Sequence, residues 1–190
     1  MFMNDEYRVI DDLARNHFAN VVWTHKIQEK QAEIYESKYN LLATINIISA
    51  SLTSAGVIST FFVDPMWVKL ISTITAFVTT AISAYLTSFD YKGMAMANKV
   101  VATKLVMQRD NLLILLAKIK FRQQSVQVLT TEFNMLQKRT HDIYIDAPNT
   151  TSKAVGMAEI SLKYNKDGTY TDAEVDKLLP NSLRRENNNE

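Results

Sequence analysis

Cysteine is missing from this sequence, and glycine and proline are scarce, at four and three among 190 residues. Without cysteine there is no disulfide, no thiolate metal site and no cysteine nucleophile, a usage that suits a reducing cytosol. With so few breakers of regular structure, long helices are favoured over short strands and turns. Net charge is nearly missing too. The 21 basic and 20 acidic side chains leave +1, which gives no electrostatic reason to expect direct nucleic-acid binding. No glycine-rich phosphate loop, Gly-x-Ser-x-Gly elbow or catalytic carboxylate pair occurs. His17 and His25 lie eight residues apart, not the four of a helical zinc motif, and His141 stands alone. All three read as helix-surface or interhelical hydrogen-bonding groups, so neither an enzyme, a cofactor nor a metal is expected. The first forty residues hold no apolar core of signal-peptide type, and the N-terminus is expected to be retained.

What the chain does contain is segregated. Its 47% hydrophobic and 22% charged residues would suit an ordinary soluble domain, yet the apolar ones crowd into two runs. Lys38 is the last charge before Asp64, so residues 41–63 give 23 uncharged positions, roughly 34 Å of helix and enough for a hydrocarbon core. Residues 70–89 give a second run of 20. Between them Asp64 and Pro65 make a turn, Phe61, Phe62 and Trp67 have interfacial rings, and Lys69 can snorkel outward. Tyr35, Tyr39 and Tyr91 mark the opposite interface. The competing reading is a helical hairpin buried in a soluble bundle, suggested by the Ser and Thr content of both runs. Spanning length and the six-residue turn favour the membrane. Lys26, Lys30 and Lys38 precede the first span and Lys92, Lys99, Lys104 and Arg109 follow the second, against Lys69 alone between them. By the positive-inside tendency both termini are cytoplasmic.

Asn4, Asp5 and Glu6 read as a helix start, and no proline or glycine intervenes before Gly56. One helix is therefore expected to run from water into lipid, changing its surface at Tyr39. Its water half carries Ile10, Leu13, His17 and Val21, with Phe18 and Val22 beside them, a stripe that needs a partner. The partner lies beyond the second span. Val101, Leu105, Gln108, Leu112, Leu115, Ile119, Arg122, Val126, Leu129, Phe133, Leu136 and Thr140 alternate spacings of four and three. Nine of these twelve are apolar, the pattern of a coiled-coil or bundle seam. Packing within one chain covers only one side of such a helix, so the seam is expected to join a homo-oligomer. Gln108 and Arg122 interrupt it, either to fix register or because they sit at a surface edge. A linker follows at 146–152, a short helix at 153–164, a turn through Asn165, Lys166, Asp167 and Gly168, and a capping box of Thr171 and Glu174 opening a helix that Pro180 closes. That turn also resembles a defective calcium loop, with Lys163 where the first carboxylate belongs. The expected organisation is a cytosolic helix at 1–40, a transmembrane hairpin at 41–91, a cytosolic long helix at 92–145, and linker, short helices and polar tail at 146–190. The fold class is thus an all-α membrane protein, a two-span hairpin on a helical cytosolic stalk.

Within the spans a polar face recurs at helical spacing: Asn46, Ser49, Thr53, Gly56 and Thr60 on the first, Ser72, Thr75, Thr79, Ser83 and Thr87 on the second. The nine Asn, Ser and Thr residues among them are candidate pore-lining groups facing water in an oligomer. Alternatively, small residues let the helices approach and hydroxyls bond their own backbone. Asn46 shifts the balance slightly, because a buried amide in lipid must find a partner or water.

Trp23-Thr24-His25-Lys26-x-x-Glu29 with Ala32-Glu33-Ile34-Tyr35, leading straight into the first span, resembles the SLATT family of two-span bacterial effectors. The Asp64-Pro65 hairpin, the long helix after the second span and Glu174-Val175-Asp176-Lys177-Leu178-Leu179-Pro180 are similar to it as well. The resemblance implies an antiphage effector of the bacterial inner membrane. It implies triggering by a signal-generating partner, a nucleotidyltransferase or reverse transcriptase system, and permeabilisation of the bilayer. The alternative is a non-conducting, membrane-anchored coiled-coil scaffold that recruits a soluble partner.

Overall fold

A computed structural model describes residues 2–62, 66–167 and 175, with side chains described from Asp5 onward. Asp64, Pro65, Gly168, Thr171, Glu174 and Pro180 lie outside the described residues. The described elements are helices: α1 (Phe2–Ser59), α2 (Met66–Ser88), α3 (Tyr91–Lys120), α4 (Val126–Ile145) and α5 (Ser152–Glu159), then a π-helical turn (Ile160–Tyr164).

With no proline and one glycine, α1 runs unbroken for 58 residues, about 87 Å. It starts ahead of Asn4 and ends short of Val63, where the Thr60, Phe61 and Phe62 amides turn back on Val57, Ile58 and Ser59 carbonyls. The second span ends at Ser88, and Asp90 reopens the chain into α3 by accepting the Gly93 N–H at 2.8 Å. A Cβ on Gly93 would collide with that carboxylate.

The single long helix expected over 92–145 is two helices, because the chain reverses between Lys120 and Val126. The Gln123 amide bonds the Lys118 carbonyl, the Arg122 amide bonds that of Ile119, and Arg122 sits at φ 50°. This is a Schellman closure with arginine where glycine is usual. The Tyr7 hydroxyl donates to the Gln124 carbonyl at 2.9 Å and its ring lies 5.3 Å from the Arg122 guanidinium, which pins the reversal to the start of α1. From there α4 runs beside α1 towards the spans: Thr140 meets His17, Tyr144 meets Thr24, and Pro148 meets Gln28. Lys118 closes the hairpin on Glu132 at 2.7 Å.

Folding back on itself places both halves of the heptad pattern in one three-helix bundle. Leu105, Leu112, Leu115 and Leu129 are fully buried, and Val101, Ile119, Phe133 and Leu136 nearly so, against Ile10, Ala14 and Val21. Val126 is half-buried at the reversal. These side chains, expected to bury against another copy, are covered within their own chain. At about 1.5–3 kcal/mol per large apolar side chain, this core is the main stabilising term of the bundle. Leu13, expected in the α1 stripe, is instead 49% exposed, and Gln108 and Thr140 are buried. The linker at 146–151 is tied back to α1: Gln31 Oε1 accepts from both the amide and the hydroxyl of Thr151, each at 2.8 Å. The Thr151 oxygen in turn caps α5.

Candidate functional site

The spans point their apolar side chains away from each other. Ile47, Ile48, Leu52, Val57 and Ile58 of α1 and Leu70, Ile71, Ile74 and Phe77 of α2 are exposed. The most apolar stretch of each spanning helix is only 6% buried, so this surface is shaped for lipid and not for a protein core. Phe61, Phe62, Met66 and Trp67 are exposed at one end of the hairpin. At the other, Tyr35, Tyr85, Phe89 and Tyr91 gather, with Lys38 over the Tyr91 ring.

The polar faces meet between the helices. The Asn46 amide nitrogen donates to Ser83 Oγ at 3.1 Å, and that hydroxyl lies 3.3 Å from Asn46 Oδ1. One level on, Thr53 Oγ1 lies 2.8 Å from Thr75 Oγ1 and 2.9 Å from the Ser49 carbonyl. Next, Gly56 faces Ser72 so closely that a Cβ on Gly56 would overlap Ser72 Oγ and stand 3.0 Å from Ser72 Cβ. As α1 advances through 46, 53 and 56, α2 retreats through 83, 75 and 72, which fixes a straight antiparallel register. Ser49 and Ser72 are buried. Thr79 is half-buried and bonds the Thr75 carbonyl, Thr60 bonds that of Val57, and Thr87 is exposed and bonds that of Ser83. The lipid-facing hydroxyls of Ser51, Thr73, Thr80 and Ser88 likewise return to carbonyls of their own helix. Each of these hydroxyls is thereby kept from standing open to hydrocarbon.

In the bundle, the Thr140 hydroxyl donates to the Leu136 carbonyl, so its oxygen accepts from His17 Nε2–H at 3.2 Å. Both charge states of the ring carry that N–H, and it is burial that lowers the His17 pKa. Burial also lowers that of His25, opposed by Glu29 nearby. His141 is exposed. Lys163, first position of the calcium-like loop, pairs with Glu159 at 2.7 Å, and Asp167 faces Ser161 and Lys26. Besides Gln108, the bundle buries the amides of Gln28, Gln31 and Asn98, which sequence reasoning missed, and each of the four carries one side-chain atom without a partner among the described residues. Only Gln108 fell on the seam periodicity. The others were hidden because amides are common on water-facing helices.

The paired Asn, Ser and Thr side chains thus form a polar seam between the two spans. A family model described as the SMODS and SLOG-associating 2TM effector domain, family 4, matches residues 10–174. No curated protein and no solved structure matches the chain. The match takes in the bundle and both spans, and two apolar helices agree with its two-transmembrane description. The chain therefore belongs to the SMODS and SLOG-associating two-transmembrane (SLATT) effector family, as an all-α, two-span membrane effector.

Proposed function

We propose that this effector permeabilises the bacterial inner membrane in an antiphage response. Its polar faces pair within the hairpin at rest and turn to water in a homo-oligomer when a signal arrives. The Asn46–Ser83 pair carries this reading. Close packing alone asks for Gly, Ala or Ser, whereas an amide in hydrocarbon is costly and is kept where it has polar partners or water. Asn46, Ser49, Thr53, Thr60, Ser72, Thr75, Thr79, Ser83 and Thr87 are the proposed lining of the open path. The lysines flanking the spans favour both termini in the cytoplasm, where a nucleotidyltransferase or reverse transcriptase partner would supply the signal. With the apolar seam occupied within each chain, the oligomer contact falls to faces the bundle leaves open, such as Val9, Leu13, Val128 and Met135.

The second reading, a non-conducting anchor, is favoured by the Asn46–Ser83 and Thr53–Thr75 pairs, which satisfy these polar groups without water. The two differ at Thr79 and Ser83. If the face conducts, changing both to Leu dewets the path and abolishes dye leakage from liposomes while the protein still inserts. Changing both to Ala then lowers leakage as well. If the face only packs, Ala is harmless and Leu disrupts the hairpin. No leakage from the unmodified protein, its trigger supplied, leaves the anchor reading.

A further inference from the structure

Where the first span enters the bundle, α1 and α3 part to leave a cleft of about 390 Å³. Glu36, Tyr39 and Asn40 line it from α1, and Lys92, Met96 and Lys99 from α3. Its depth is set by the chain: Asn40 immediately precedes the first uncharged run, and Lys92 is the second residue of α3 after the second span. The cleft thus opens at the level of the lipid headgroups on the side that bears the bundle.

Its charges are uncommitted. Lys26, Lys30, Lys118 and Lys163 are each paired to a glutamate, whereas Lys92, Lys99 and Glu36 enter no ion pair among the described residues. Lys92, Met96 and Lys99 recur at helical spacing, so two ammonium groups flank an exposed thioether on one face of α3. Two lysines against one glutamate leave a single positive charge, which one phosphodiester neutralises. Glu36 can accept from a headgroup hydroxyl and repels a second anionic charge.

We infer that this cleft binds the headgroup of a singly anionic, hydroxyl-bearing phospholipid of the phosphatidylglycerol type. The phosphodiester lies between Lys92 and Lys99, the glycerol hydroxyls bond Glu36 and Asn40, and Met96 and Tyr39 contact the glycerol backbone. The site does not depend on whether the spans conduct.

The full chain in phosphatidylcholine nanodiscs, titrated with phosphatidylglycerol, tests this when retained lipid is counted by native mass spectrometry. Phosphatidylglycerol should be retained over phosphatidylcholine and phosphatidylethanolamine. The Lys92→Gln/Lys99→Gln pair should weaken retention about thirtyfold, from two lysines near an anionic surface. Lys120→Gln/Lys138→Gln removes the same charge, with Lys120 about 42 Å further along α3, and should change little. Lys92→Arg/Lys99→Arg should keep the lipid, which separates lost charge from lost folding. Equal retention of phosphatidylcholine overturns the inference. So does an equal loss in the distant pair, unchanged retention in the glutamine pair, or loss in the arginine pair. Millimolar inorganic phosphate should not displace the lipid; displacement would make the cleft a free-anion site instead.

Discussion

Gly56→Ala places one methyl group at a close approach of the two spans. The added Cβ overlaps Ser72 Oγ, so the hydroxyl must rotate away from the Val68 carbonyl that it bonds at 2.9 Å. Forfeiting that bond costs about 1 kcal/mol. Rotation does not clear the site, because Ser72 Cβ remains 3.0 Å from the new carbon and must move by a few tenths of an ångström. That displacement of α2 strains the Thr53–Thr75 and Asn46–Ser83 contacts on the same face, each worth about 0.6 kcal/mol in a membrane. The expected destabilisation of the hairpin is about 2 kcal/mol, within the range for overpacking by one methyl group. Ser72→Gly removes both offending atoms and, alone, costs about 1 kcal/mol as a helix-interior glycine. In the double variant the penalties should not add; a favourable coupling of about 1–2 kcal/mol is expected. Equilibrium unfolding by SDS in mixed micelles, followed by helix circular dichroism, measures all four corners of the cycle. A Gly56→Ala variant as stable as the original, or one that Ser72→Gly fails to rescue, would refute the register of the hairpin.

Leu112→Ala leaves a cavity among fully buried neighbours and should destabilise the bundle by about 2–5 kcal/mol, read as a lower thermal midpoint without loss of membrane insertion. Burial holds His17 and His25 below the ordinary 6.5, so the folded bundle binds fewer protons than the unfolded chain near that pH. Their contribution is complete above pH 6.5 and lost as pH falls through the native values, and His17→Gln should flatten the loss in melting curves taken between about pH 5 and pH 7.5. Gln31→Leu leaves the Thr151 amide without its acceptor, at about 1–3 kcal/mol, and should speed hydrogen exchange in the linker and α5 while α3 stays protected. Exchange that rises equally in α3 would refute the linker as a locally tied segment.

The spans were legible because lipid imposes a simple demand: residues 41–63 and 70–89 carry no charge and are long enough to cross. The heptad pattern from Val101 to Leu136 was legible as a buried face, but not as a face folded on itself. Nothing in Phe121-Arg122-Gln123-Gln124-Ser125 announces a reversal, since the left-handed residue is arginine, and the contacts that hold it come from Tyr7, more than a hundred residues away. Periodicity continued across the gap by coincidence of phase. The polar faces were visible one helix at a time. Their pairing with each other depended on the antiparallel register, which Gly56 and Ser72 set through a close approach that only coordinates reveal.

Continuity of α1 gives the molecule a mechanical property. From Ile10 in the bundle core to Asn46 between the spans is about 54 Å of helix without a glycine or proline, and so without a hinge. A push or twist delivered among α3 and α4 meets no glycine or proline at the membrane surface at which to bend. In the proposed function it would reach the bilayer as a rotation of the same shaft, swinging the Asn46 amide away from Ser83.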